Sequence, residues 1–185
     1  MSAQPLGEEH IRFYTAMGRA IAAWAVLEHV LGYFYSACIG GLRPAAVDAF
    51  FKMIAFSTKL GAADAAAGAT FTLYLPNYLP AWKKLKDKIG AASQDRNEIA
   101  HFAVRVEHRK GHLSRKEPDR YPDCRLVLLP PHVAEPADPE KIVATKMWDI
   151  ARIDGAAERF RVLTQELNDL ANGVNQDVTN LVRKQ

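Results

Sequence analysis

Six consecutive residues, Arg96-Asn97-Glu98-Ile99-Ala100-His101, bring together the side chains best suited to chemistry on a phosphate. An imidazole, with an ordinary pKa of about 6.5, can take or return a proton at neutral pH. A guanidinium binds a phosphate through a planar fork of donors. At about 100° per residue, Asn97 and His101 share one helix face, whereas Arg96 and His101 are about 140° apart. His101 lies where a helical pattern gives way to a strand pattern, so helical geometry does not fix its direction.

Two opposite charges lie on apolar helical stripes, where an unpaired charge would cost several kcal/mol. Glu28 follows Leu27 on the inward face of the first predicted helix, and Arg96 lies on the inward face of the third. The pattern therefore predicts a contact between Glu28 and Arg96. Such a pair either fixes the register of the two helices or holds Arg96 in place for another task, and both interpretations stay open.

The segment from Arg105 to Arg125 is basic and predicts a charged hairpin connection. It holds seven Lys and Arg residues against four acids, an excess of three that equals the net charge of the chain. Such a segment can steer a polyanion, although a solvated hairpin tip is an equally good interpretation. The candidate RNA-binding residues within it are Arg105, Arg109, Lys110, Arg115 and Lys116.

Metal and cofactor sites are not expected. His101, His108 and His112 are spread over a predicted strand and hairpin, and no cysteine lies close enough to complete a zinc site. The chain contains no glycine-rich phosphate loop and no His-Glu-x-x-His motif.

Apolar periodicity predicts the elements that position these residues. A first helix is expected over 8–37 and ends at Gly40-Gly41. A second helical region runs over 44–69 with a break near Phe56, a third helix starts near Pro80, and a last helix covers 150–182. Between the last two, alternating residues at 102–107 and 126–128 predict strands, and KIVATKMW suggests a third short one.

The predicted fold is therefore all-α: an antiparallel bundle of four to five helices with a small β-hairpin inserted before the last helix. Residues 1–185 form one domain in this interpretation, with a hairpin and loop insertion over about 102–148.

Composition limits the class of protein. The 185 residues are 49% hydrophobic with a net charge of +3, which excludes disorder as the main description. No uninterrupted apolar run reaches the roughly 18 residues of a membrane span, and the acidic N-terminus is unlike a secretory signal. Two cysteines make no disulfide scaffold. A cytoplasmic protein without a membrane partner is expected.

The motif and the order of elements resemble the HEPN superfamily, all-helical domains that carry an arginine followed after four to six residues by a histidine. Here Arg96, Asn97 and His101 match that motif, in the form with asparagine after arginine. The segment Trp24-Ala25-Val26-Leu27-Glu28 is similar to the first helix of one uncharacterised bacterial branch, in which the motif also precedes a short β insertion. The resemblance covers most of the chain.

The resemblance implies a metal-independent endoribonuclease, a toxin or defence component, whose product ends in a 2′,3′-cyclic phosphate. It implies a homodimer with both motifs in one cleft. His101 would exchange protons, Arg96 would hold the phosphate, and Asn97 would either orient His101 or hydrogen-bond the phosphate, with Glu28 in support. An RNA substrate and a nucleotidyltransferase-like antitoxin would be its partners. The alternative is a non-catalytic HEPN-like dimer that binds RNA or a protein, and a plain helical scaffold is a further one.

Overall fold

The computed structural model describes residues 7–40, 43–108, 113–114, 124–130 and 147–183. Within these ranges the chain forms five α-helices, one 3-10 helix and three strands. In chain order they are α1 (Glu8–Cys38), α2 (Pro44–Lys52), α3 (Phe56–Leu73), the 3-10 helix Pro76–Tyr78, α4 (Leu79–His101), β1 (Ala103–His108), β2 (Leu113–Ser114), β3 (Cys124–Leu129) and α5 (Ile150–Arg183).

The fold class predicted from the sequence, an all-α bundle with a small antiparallel β insertion before the last helix, is confirmed. The helix ends follow from local chemistry. Gly40 adopts a φ of +117° after α1, a conformation that side-chain-bearing residues rarely take. Pro44 occupies the first turn of α2, where its missing N–H costs nothing. Extended backbone at Met53 and Ala55 separates α2 from α3, which begins at Phe56.

The chain divides into two compact units. The first comprises residues 1–22 and 95–158. It contains the beginning of α1, the end of α4, the sheet and the beginning of α5. Its buried apolar residues come from all four of these parts, among them Phe13, Ile99, Val127, Trp148 and Ile153, each 0% exposed.

The second unit comprises residues 23–94 and 159–185 and has an aromatic core. The Trp24 ring packs edge-on against Phe56 and Phe160, with centroids 4.7 and 5.2 Å away. The Phe34 ring stacks on Trp82 at 4.4 Å. Edge-to-face and offset ring pairs stabilise a core beyond the area they bury.

The sheet is antiparallel with strand order β2-β1-β3. Val104 pairs with Leu128 and Val106 with Leu126. Leu128 also exchanges two backbone hydrogen bonds with Trp148. The strand expected in KIVATKMW is therefore a single bridge at Trp148 within the described residues, and Lys141–Lys146 lie outside them.

Strand β3 departs from the alternation that the sequence suggested. Alternation at 126–128 would leave one face of the strand covered, but Val127 and Leu129 are buried together with Leu126 and Leu128, and none of the four is more than 2% exposed. The strand is thus covered on both faces over residues 126–129, which suits the continuous apolar run LVLL.

Helix α1 bears on the expectation that no segment spans a membrane. By length and composition it could cross a membrane, since its most apolar 18-residue window has a mean hydropathy of 1.2. The expectation rested on the absence of an unbroken apolar run of about 18 residues. The mean hydropathy of a window can be high even when scattered polar residues interrupt the run. Because 44% of the window is buried inside the protein, α1 also fits the core helix of a soluble protein, and its composition is weak support for a membrane span.

Gly173 should not tolerate alanine. An added Cβ would lie 2.9 Å from the Tyr78 hydroxyl, and Tyr78 is held by a 2.8 Å hydrogen bond to Asp177. We expect Gly173→Ala to lower the free energy of unfolding by about 1–3 kcal/mol through overpacking. Gly61→Ala is the matched control, because nothing lies within 4 Å of its added Cβ. It should raise stability by about 0.5–1 kcal/mol in urea unfolding, and equal effects of the two substitutions would contradict this packing.

The buried thiol of Cys38 should make stability depend on alkaline pH. Desolvation penalises the thiolate and raises the pKa of Cys38 to about 12. The folded chain therefore keeps this proton above the pH at which the unfolded chain loses it, and stability falls as the pH rises above about 9. Relative to Cys38→Ala, the wild type should lose up to about 1.4 kcal/mol per pH unit between about pH 9 and 12. Parallel stability curves for the two proteins would refute the assignment.

Candidate active site

The last two turns of α4 place Arg96, Asn97 and His101 in the first unit. Ile99, 0% exposed, fixes the inward face of this segment. Asn97 and His101 are exposed, and Arg96 is half-buried. The helix thus presents the polar residues of the motif to solvent and anchors them through an apolar residue between them.

Among the described residues, the Arg96 side chain has one hydrogen-bond partner. Its Nη1 donates to the Asn97 side-chain oxygen over 3.0 Å. Its Nε is buried and has no hydrogen-bond partner. No carboxylate of a described residue pairs with this guanidinium. An anion that reached Arg96 would therefore meet an uncompensated cation whose orientation Asn97 already restrains.

His101 is the last residue of α4 and is exposed to solvent. Within the described residues its ring makes no hydrogen bond. The backbone leaves the helix immediately after it, through a bend at Phe102 whose N–H donates to the Glu98 carbonyl over 2.9 Å. The imidazole is therefore free to approach a ligand from the end of the helix.

Glu98, inside the motif, has a structural partner that the sequence did not reveal. Its carboxylate accepts a 2.7 Å hydrogen bond from the indole N–H of Trp148, which is fully buried. The Arg152 guanidinium stacks 4.1 Å above the Trp148 ring and donates to the Met147 carbonyl over 2.8 Å. A buried indole N–H usually finds an acceptor, but the sequence does not show which acid accepts from Trp148. This bond holds the end of α4 against the segment that precedes α5.

The expected pairing of Glu28 with Arg96 is replaced by another pair. The Glu28 carboxylate forms an ion pair with Lys59 of α3, whose side chain is only 8% exposed. Arg96 donates instead to the side-chain oxygen of Asn97. Lys59 lies on the buried stripe of α3 with Ala63, Ala67 and Phe71. In the sequence, the position of this lysine on an apolar stripe could have indicated a partner for Glu28. Glu28 therefore supports the core of the second unit, and its proposed role beside Arg96 is withdrawn.

The candidate RNA-binding residues can be placed only in part. Arg105, in β1, is half-buried and donates to the Val104 carbonyl over 3.0 Å. Arg109, Lys110, Arg115 and Lys116 lie outside the described residues. In the part of the basic segment that is described, Arg125 pairs with Asp149 at 3.4 Å.

Among the described residues no group of three or more His, Cys, Asp or Glu side chains comes close enough to hold a metal ion. His112 falls outside that set. The chemistry that the arrangement can perform is proton transfer at His101 and anion binding at Arg96.

Comparisons of the chain with protein-family models, curated proteins and solved structures found no match.

Proposed function

We propose that this protein is a HEPN-like, metal-independent endoribonuclease whose active site is formed by Arg96, Asn97 and His101. One observation carries the proposal. An arginine without a carboxylate partner among the described residues and an exposed histidine share the solvent-facing end of one helix. A purely structural arginine at this depth would be expected to have an acid beside it.

The reaction requires no group beyond the RNA and these side chains. His101 removes the proton of a 2′-hydroxyl, and the 2′-oxygen attacks the adjacent phosphorus. The bond from phosphorus to the 5′-oxygen breaks, and that oxygen takes the proton that His101 carries. The products are a 2′,3′-cyclic phosphate and a 5′-hydroxyl, and His101 is regenerated. DNA lacks the nucleophile and is not cleaved.

Arg96 and Asn97 act on the phosphate in this proposal. The fork of Arg96 binds two non-bridging oxygens and offsets the charge that develops as the 2′-oxygen attacks. Asn97 restrains Arg96 through the 3.0 Å bond already present. Because Arg96 and His101 are about 140° apart around α4 and about 7.5 Å apart along its axis, the substrate must wrap the helix end to reach both.

A homodimer and a toxin or defence role complete the proposal, with a nucleotidyltransferase-like antitoxin as the second partner. The outward side of α1 in the first unit supports self-association. Ile11 and Tyr14 are 56% and 45% exposed there, and nothing lies within 4 Å of a Cβ added at Gly18. A second helix could approach this side closely.

Light scattering at micromolar concentration should give the mass of two chains, and the mass of one chain would refute the dimer.

Cleavage of RNA in EDTA tests the activity. Purified protein should cut single-stranded or loop RNA in excess EDTA and leave cyclic phosphate ends, which mass spectrometry of the fragments identifies. The matched substrate carries a single 2′-deoxy nucleotide at the mapped cut, and it should resist at that position alone. Cleavage that persists at the 2′-deoxy position would contradict attack by the 2′-oxygen.

The same experiment separates the binding alternative. A non-catalytic HEPN-like dimer would bind these RNAs with an affinity that falls as salt rises, because bound phosphates release counterions, and would leave them intact. Binding without cleavage over a panel of RNAs would favour that function and remove the enzymatic proposal.

A further inference from the structure

A small pocket in the second unit combines two opposite charges with apolar walls. It has a volume of about 260 Å³ and is lined by Tyr33, Arg43, Pro44, Val47 and Asp48. We propose that this pocket binds a free α-amino acid with an apolar side chain, the carboxylate held by Arg43 and the ammonium by Asp48.

The two charged residues are available to a ligand. Among the described residues, Arg43 and Asp48 form an ion pair neither with each other nor with another side chain. Two opposite charges at one pocket that leave each other unpaired match a ligand that carries both charges. An α-amino acid presents a carboxylate and an ammonium on the same carbon, and the arginine fork suits the carboxylate.

The walls of the pocket are held by bonds outside it. Tyr33 shares a 3.0 Å hydrogen bond with the imidazole of His29, which fixes the direction of its ring. The backbone N–H of Arg43 donates over 2.8 Å to the hydroxyl of Ser36, a fully buried side chain of α1. This bond ties the start of α2 to α1. When the walls of a site are already ordered, less conformational entropy is lost on binding, and this favours affinity.

Size and lining select the ligand class. The volume lies below the roughly 300–1,000 Å³ of drug-sized sites, which suits an amino acid better than a nucleotide or a larger cofactor. The ring of Tyr33 and the aliphatic groups of Pro44 and Val47 offer apolar contact to a side chain such as that of leucine or phenylalanine.

Titration calorimetry with three related ligands tests the assignment. L-Leucine should bind saturably with a dissociation constant of about 1 mM or below. Leucinamide lacks the carboxylate and N-acetyl-leucine lacks the ammonium, so each should bind at least about tenfold more weakly, on the scale of a lost charge-assisted hydrogen bond. Absence of saturable heat with leucine up to about 10 mM, or equal affinity for all three ligands, would overturn the proposal.

Two substitutions assign the charges separately. In Arg43→Gln the preference for leucine over leucinamide should disappear, while the preference over N-acetyl-leucine remains. In Asp48→Asn the preference for leucine over N-acetyl-leucine should disappear, while the preference over leucinamide remains. Arg43, Asp48, Arg12 and Asp87 are all exposed, so Arg12→Gln and Asp87→Asn are matched controls that should keep wild-type affinities. Each variant is judged by the ratio of its dissociation constants for two ligands, both measured on the same folded protein. A small change in stability therefore does not obscure the result. A loss shared by the controls, or unchanged ratios in both variants, would refute the site.

Discussion

Replacing His101 with alanine should lower the rate of EDTA-resistant RNA cleavage by about 10²–10⁴-fold, the usual contribution of one general acid–base group. In the proposed reaction His101 accepts the 2′-hydroxyl proton, and its imidazole is exposed at the end of α4 and engaged by no described residue. The rate should be measured with a mapped substrate in excess EDTA.

A lost activity is informative only if the fold survives. His101 is exposed and makes no hydrogen bond to the described residues, so His101→Ala should change the free energy of unfolding by no more than about 0.5 kcal/mol. His29→Ala removes another exposed imidazole, one bonded to Tyr33 rather than placed in the motif, and should keep full activity. Added imidazole should restore part of the rate to the His101 variant. Cleavage by His101→Ala at the wild-type rate would remove His101 from the mechanism.

The helices could be predicted because their signals are local. A 3.6-residue apolar period identifies α1, α4 and α5, glycine marks the end of α1, and proline marks the start of α4. The interruption at Phe56 was also detectable, since the apolar stripe changes phase there. By contrast, burial of β3 on both faces depends on what covers the sheet, and four consecutive apolar residues are compatible with one covered face or two.

The pairing of Glu28 could not be obtained in the same way. Periodicity tells which side of a helix is buried, but not which residue of another helix faces a given position. Arg96 was the expected partner because it also lies on an apolar stripe, yet Lys59 lies on one too. A lysine carries its charge at the end of a long stem, which lets the stem pack against apolar surface while the ammonium reaches an acid.

The candidate site was predictable only as a set of residues. The motif gave Arg96, Asn97 and His101 and their position at a helix end, which the structure places in the last turns of α4. The hydrogen bond of Glu98 to Trp148 joins residues 50 positions apart in the chain. No local pattern identifies such a bond, because its formation depends on the path of the whole insertion between them.

Removing Glu28 should destabilise the protein by about 3 kcal/mol, the scale for breaking a buried ion pair and leaving one charge behind. In Glu28→Ala the Lys59 ammonium would stay in a site where its side chain is only 8% exposed. The nearby rings of Phe51 and Phe50, 5.3 and 6.0 Å from the nitrogen, would offset part of the loss through cation–π attraction. For a chain of this length the melting temperature should fall by about 6–12 °C.

The exposed pair of Lys88 with Glu166 provides the matched control, because both side chains are more than 40% exposed at a separation of 2.7 Å. Glu166→Ala should cost no more than about 1 kcal/mol, the upper range for a solvated ion pair. The double variant Glu28→Leu with Lys59→Leu removes both buried charges and should recover most of the stability that Glu28→Ala loses, since no orphaned charge remains. If Glu28→Ala melts at the wild-type temperature, the pair does not hold this core together. The same conclusion follows if its melting temperature falls no further than that of Glu166→Ala. If the double variant is less stable than the single one, the shape of the two side chains matters more than their charge.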